Sequence, residues 1–319
     1  MVVLYHLIFG ILAMAGLVFG AQIVIYGAKH IAIKLGLSEF FVGLTLLSIL
    51  TSLPEMIEHI VASLDILRGG PAGVLAGVAI GTNIGSNIIQ ITLITGLVGL
   101  IGTLVCDEDF IKKDYVFMLI SILILFLFAF TGSHISRLEG GILFSMYLLY
   151  LYSLQRKEGI KEKLKVKHNP LAWDFILIAL GFIALLFSAD HLLKEAVFFS
   201  QAYGIEGSLI GTLIIGVATS LPEFTTAMVA LIKRSSGLSL GTLIGSNITN
   251  PLLALGLGAM ISGYSVENSL LWFDLPFWFG ISVVGYFLFL KGKHLSNKEA
   301  LVLIFGYFLY VGLRLAIFV

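Results

Sequence analysis

Charge is what this sequence has least of: Asp, Glu, Lys and Arg make up 12% of it, about half the share of a soluble domain. So little solvating surface excludes a large water-soluble fold. The few charges also balance, with 19 Lys and Arg against 19 Asp and Glu, so nothing points to nucleic acid or to an acidic partner. A lone cysteine, Cys106, excludes an internal disulfide and has no metal-ligating company. No basic stretch precedes the first apolar run, Met-Val-Val-Leu-Tyr-His. The N-terminal segment therefore reads as a membrane helix rather than a cleaved signal peptide.

What is present is apolar: 58% of residues are hydrophobic. They fall in runs close to the roughly twenty residues that a helix needs to cross hydrocarbon. Ten spans are predicted, at 3–28, 39–66, 71–101, 115–132, 137–154, 171–199, 206–232, 238–262, 269–290 and 298–318. The one long polar stretch, 155–169, holds Arg156, Lys157, Lys161, Lys163, Lys165 and Lys167 and divides the spans five and five. With that loop cytoplasmic, fifteen basic residues fall inside and two, Arg68 and Arg137, outside, as the positive-inside rule requires. Both termini then lie outside. Trp173 and Trp272 stand at span ends, where amphipathic rings favour the membrane interface.

The two halves repeat. Residues 42–55 read VGLTLLSILTSLPE and 210–223 read IGTLIIGVATSLPE; 81–90 read GTNIGSNIIQ and 241–250 read GTLIGSNITN. An odd number of spans per half sends the second copy into the membrane from the opposite side. The predicted fold is an all-α membrane protein of ten transmembrane helices in two inverted five-helix repeats, 1–154 and 170–319, joined by the basic loop 155–169. Such repeats place a binding site near the bilayer midplane, between broken helices.

The repeated segments are rich in hard oxygen donors. Pro54 and Pro222 cannot donate to the carbonyls of Leu50 and Ala218, which must find other partners at membrane depth. Thr51, Ser52, Thr219 and Ser220 add hydroxyls, and Glu55 and Glu223 add charge. These oxygens suit calcium or sodium rather than zinc or copper. Gly81, Gly85, Gly241 and Gly245 admit a close neighbour, while Ser86, Asn87, Ser246 and Asn247 bring further oxygens. A small-residue pattern alone is ordinary helix packing, and a lone proline an ordinary kink. A mid-span glutamate is different, because inserting a central charge costs roughly 2.5–3.5 kcal/mol or more. Two of them, each after Thr-Ser-Leu-Pro, mark a functional site.

The paired TSLPE and GSN segments in five-span halves resemble the sodium/calcium exchangers of the calcium/cation antiporter superfamily, over essentially the whole chain. The GSN form resembles the sodium-type branch; proton-coupled calcium exchangers carry a glutamate-containing Gly-Asn-Ala segment instead. The resemblance implies that Glu55 and Glu223 are ligands shared by calcium and sodium. It implies oxygens from Thr51, Ser52, Thr219 and Ser220, backbone carbonyls at Ser48 and Gly216, and Ser86 and Ser246 flanking outer sodium positions. It also implies that the first and sixth spans slide across a rigid remainder. Four residues past each GSN serine the family pattern has Asn and then Asp, whereas this chain has Gln90 and Asn250. No carboxylate remains in that motif. The two glutamates alone balance one calcium, but not three sodiums.

A second departure is Glu58 and His59, three and four residues beyond Glu55 on the same helix face; the second half has Thr226 and Ala227 there. One reading places the pair in a water-filled vestibule or near the headgroups, the other makes it a proton-titrating pair. Asp190, His191, Lys194 and Glu195 are expected to pair or snorkel at the outer end of the sixth span. The combined reading is a multi-pass cell-membrane antiporter of calcium and sodium, with no cofactor, no obligatory protein partner and the lipid bilayer as its surroundings. Its nearest alternative is a proton-coupled or other divalent-cation antiporter on the same scaffold. A passive channel would use the same oxygens without coupling. An intramembrane zinc enzyme is disfavoured, because Glu55-Met-Ile-Glu58-His59 lacks the second histidine at helical spacing and the third ligand.

Overall fold

A computed structural model describes residues 2–35, 43–106, 108–157, 171–232 and 234–318. They form an all-helical protein, as a chain surrounded by lipid must, since only a helix or a closed barrel satisfies its own backbone there. We number the helices α1 (Val2–Leu35), α2 (43–67), α3 (Ala72–Ile101), α4 (Glu108–Phe130), α5 (Arg137–Lys157), α6 (Leu171–Tyr203), α7 (Gly207–Ile232), α8 (Ser236–Ser262), α9 (Leu270–Gly292) and α10 (Asn297–Phe318). Among the described residues, seven are long and apolar enough to cross a membrane: α1, α3, α4, α7, α8, α9 and α10. Large side chains such as Phe187 and Phe305 face outward at 65% and 66% exposure, a surface made for lipid. Trp173 and Trp272 are exposed as well. Of the basic loop, Gln155 to Lys157 prolong α5, and 158–169 lie outside the described residues, as does Lys233.

Several helix boundaries follow from local chemistry. Before α5, the Ser136 N–H donates to Glu139 Oε2 at 2.7 Å while the Glu139 N–H donates back to Ser136 Oγ at 3.2 Å. This capping box satisfies two donors that a helix start leaves orphaned. It recurs before α10 with Ser296 and Glu299, at 2.8 and 3.5 Å. At the end of α8, Gly263 turns the chain at φ +72°, a conformation that a Cβ would oppose. Two antiparallel pairs of two-residue strands tie the helix ends: β1 (Leu104–Val105) with β4 (His294–Leu295), and β2 (His134–Ile135) with β3 (Tyr264–Ser265).

The interior falls into two apolar cores. The larger draws on α2, α3, α4, α5, α7, α8, α9 and α10, with no described residue of α1 or α6 in it. The smaller joins α1 and α6 to α2, α3 and α7 through Leu17, Ile57, Val78, Leu185, Leu192 and Ile215. Several polar groups inside the bundle are paired. Tyr150 donates to Asp114 Oδ1 at 3.0 Å, and 160 positions on Tyr310 donates to Asp274 Oδ1 at 2.7 Å. Asp274 also meets Arg314 Nε at 3.1 Å, both side chains fully buried, and Arg314 donates to Ser208 Oγ at 3.0 Å. At the far end of α6, Lys194 reaches Asp190 at 2.6 Å, and Glu195 reaches His6 of α1 at the same distance. The expected pairing there is present.

Candidate ion-binding site

The site grows from interruptions in α2 and α7. Each helix carries a wide π-type turn, Gly43–Leu47 and Gly211–Ile215, then a short helical piece, then a break at Ser52 or Ser220. At both breaks φ is near −80° and ψ near zero (Ser52 −81°, 7°; Ser220 −79°, −6°). The helix resumes at Leu53-Pro54 and Leu221-Pro222, where a proline's missing N–H removes nothing that a helix start would use. Each glutamate then falls in the first turn of the resumed helix, where the N-terminal dipole favours negative charge. α3 and α8 carry matching wide turns at Gln90–Ile94 and Asn250–Leu255, a distortion common at functional sites.

These four helices bring every predicted site residue into one buried region. Ser48, Thr51, Ser52, Glu55, Ser86, Gln90, Gly216, Thr219, Ser220, Glu223, Ser246 and Asn250 are all buried. Cross-half contacts join them: Thr51 Oγ1 lies 3.3 Å from Ser246 Oγ, Ser220 Oγ donates to Ser86 O at 3.3 Å, and Asn250 Nδ2 donates to Ser86 Oγ at 3.2 Å. The Glu55 carboxylate faces the hydroxyls of Thr219 and Ser86, and that of Glu223 faces Thr51 and Ser246. The two carboxylates are close enough to repel each other. None of their four oxygens has a hydrogen-bond partner, and neither has Ser52 Oγ. The predicted carbonyls already serve the breaks: Ser48 O accepts the Ser52 N–H at 3.1 Å, and Gly216 O accepts the Ser220 N–H at 3.2 Å.

The close approach of backbones explains the glycines. A Cβ on Gly85 would collide with the Thr212 backbone of α7, and one on Gly245 would come within 2.8 Å of Ser48 Cβ on α2. The repeated motifs thus touch across the halves, α3 on α7 and α8 on α2.

Hydrogen-bond direction fixes the two amides. Trp278 Nε1, which can only donate, reaches Asn247 Oδ1 at 3.1 Å. Asn247 Nδ2 therefore donates to Leu243 O and to Gln90 Oε1, at 3.0 and 3.1 Å. This leaves Gln90 with an unpartnered nitrogen, Nε2, rather than an oxygen. On the other side Asn83 Nδ2 donates to the Asn250 carbonyl at 2.7 Å, Asn87 Nδ2 to Asn83 Oδ1 at 3.3 Å, and Asn250 Nδ2 to Asn87 Oδ1 at 3.1 Å. Asn250 is left with an unpartnered oxygen, Oδ1. Of the two neutral replacements, Asn250 keeps an oxygen with no partner, whereas the Gln90 oxygen already accepts one hydrogen bond.

Glu58 and His59 are each 1% exposed, so they line neither a vestibule nor the headgroup zone. They also engage different partners. Thr82 Oγ1 donates to Glu58 Oε1 at 2.9 Å. His59 Nε2 accepts from Asn83 Nδ2 at 3.2 Å, and Nδ1 reaches Tyr264 Oη at 3.1 Å. These bonds describe a neutral ring with its hydrogen on Nδ1. Sequence reasoning missed this supporting layer: Thr82, Asn83, Tyr264 and Trp278. Asn83 was legible as a polar residue inside an apolar run. Trp278 carries no local signal.

No three His, Cys, Asp or Glu side chains among the described residues converge as a metal site. A family model described as "Sodium/calcium exchanger protein" matches residues 5–154 and 173–316. The chain is 30% identical to the sodium/calcium exchanger MaX1 of Methanosarcina acetivorans over 93% of its length and 95% of the relative's. It is 27% identical to the inner membrane protein YrbG of Escherichia coli, covering 81% of this chain and 82% of that one. Its structure superposes on that of the sodium-calcium exchanger NCX_Mj soaked with Na+ and Sr2+ at a TM-score of 0.68 and 25% identity, covering 97% of this chain and 98% of the other.

Proposed function

This chain belongs to the sodium/calcium exchanger family, and from that premise we propose that it exchanges calcium for sodium by alternating access at one shared site. The observation that carries the reading is the pair of buried carboxylates, Glu55 and Glu223, whose four oxygens lack hydrogen-bond partners. Two uncompensated charges in a low-dielectric interior are costly. One calcium or two monovalent ions relieve them. Thr51, Ser52, Thr219, Ser220, Ser86, Ser246 and the carbonyls of Ser48 and Gly216 complete the oxygen set, with Asn250 Oδ1 beside them.

Coupling follows from competition. Calcium and sodium need the same carboxylates, and the site faces the other side of the membrane only when its charge is neutralised. The moving part is α1 with α6, which pack in the smaller core and contribute nothing described to the larger one. This motion is part of a scaffold of ten spans, five in 1–154 and five in 170–319, inverted about the site. Hydrogen bonds and capping boxes that recur 160 positions apart support that repeat. The 155–169 loop is cytoplasmic, and both termini are outside.

The test is calcium uptake into sodium-loaded proteoliposomes of the purified protein, repeated without sodium and with a pH gradient in its place. Uptake that needs internal sodium is the expected result. Uptake driven by the pH gradient alone would make the proton the counter-ion, and calcium entry without any counter-ion gradient would describe a channel.

A further inference from the structure

Glu58 is the buried charge that the exchanger reading leaves unused. It follows Glu55 by one helical turn, on the resumed part of α2, and lies near enough to Glu55 for the two charges to interact. Its Oε1 accepts a single hydrogen bond, from Thr82 of α3, and its Oε2 has none. The neighbouring polar groups are committed elsewhere. His59 is held between Tyr264 and Asn83, and Asn83 also serves the Asn250 carbonyl. No Lys or Arg pairs with Glu58 among the described residues. A buried carboxylate with one hydroxyl for company is an expensive arrangement in a membrane protein. The second half avoids it: the matching positions are Thr226 and Thr242, and Thr242 bonds back to its own helix at Leu238 O, 2.9 Å away.

We propose that Glu58 and Thr82 form a further cation subsite, adjoining the Glu55–Glu223 pair and taking a monovalent ion, sodium. The inference rests on the exchanger reading above. One carboxylate and one hydroxyl are far short of the six to eight oxygens that calcium takes, and the single charge of Glu58 matches a singly charged ion. No third acid converges with the pair on a common point, so the subsite stands beside the shared site rather than enlarging it. The charge count supports the same ion. With Gln90 and Asn250 neutral, the central pair balances two monovalent ions, and Glu58 balances a third. The negative charge missing from the second motif is thereby supplied from the first, on a different helix.

The experiment compares wild type, Glu58→Gln and Thr82→Val in proteoliposomes, reading calcium uptake against internal sodium and against a potential set by potassium and valinomycin. In Glu58→Gln the sodium Hill coefficient falls by about one, as loss of one coupled site requires, and the response to potential weakens with it. Thr82→Val keeps the carboxylate and the Hill coefficient but needs several-fold more sodium for half-saturation. Wild-type Hill coefficient and voltage response in Glu58→Gln would overturn the subsite and leave Glu58 a neutral structural acid. A wild-type sodium curve in Thr82→Val would overturn it independently, even if Glu58→Gln failed to fold. If the wild-type protein itself showed no sodium-driven uptake, the exchanger reading would fall instead.

Discussion

At the residue scale, the centre of this protein holds two buried carboxylates, Glu55 and Glu223, without hydrogen-bond partners, and the proposed exchange rests on them. Glu55→Ala or Glu223→Ala removes half of the shared charge, and coupled calcium uptake should vanish while the protein still purifies as a folded species. Near-normal flux in either variant would remove that glutamate from the site. Both residues were legible in the sequence, because a charge after Thr-Ser-Leu-Pro in two apolar runs costs too much at membrane depth to serve packing alone. Arg314 was not legible: its position in α10 says only that a base lies within a span. The fold pairs it with Asp274 in full burial, and breaking such a pair by removing one partner costs about 3–5 kcal/mol. Arg314→Leu should therefore lower the melting temperature in detergent markedly, and adding Asp274→Asn should recover part of the loss. Equal melting temperatures for wild type and Arg314→Leu would show that the pair contributes nothing net.

At the element scale, the helices are shaped by where they are interrupted. The breaks at Ser52 and Ser220 follow from prolines visible in the sequence. The wide turns in α3 and α8 do not, because only the Asn250-Pro251 site holds a residue that resists regular helix. Helix contact is set by glycines whose partners lie in the other half. Gly85→Leu would press against the Thr212 backbone, and Gly245→Leu against α2 at Ser48 and Leu44. Overpacking costs about 1–3 kcal/mol and occasionally more, and backbone cannot rotate aside as a side chain can. Both variants should lose calcium uptake with every charge of the site intact. Wild-type exchange by both would make these glycines ordinary helix residues.

At the scale of the whole molecule, orientation is open to a direct test. On a Cys106→Ser background, Lys163→Cys in the basic loop should react with an impermeant maleimide only after the cytoplasmic face is opened. Labelling in intact cells would invert the topology. The membrane class, the two TSLPE and two GSN segments, and the repeat itself were readable from the chain, because span length, apolar content and motif identity are local properties. The tertiary structure alone decided which of the remaining polar groups are satisfied. His59 became a neutral link between Tyr264 and Asn83. Gln90 lost its oxygen to Asn247, which Trp278 orients, and Glu58 kept one oxygen unpartnered. Those outcomes rest mostly on hydrogen bonds between different helices, many from opposite halves of the chain. A donor finds its acceptor only when helices pack, and no residue's neighbours in sequence record how they will.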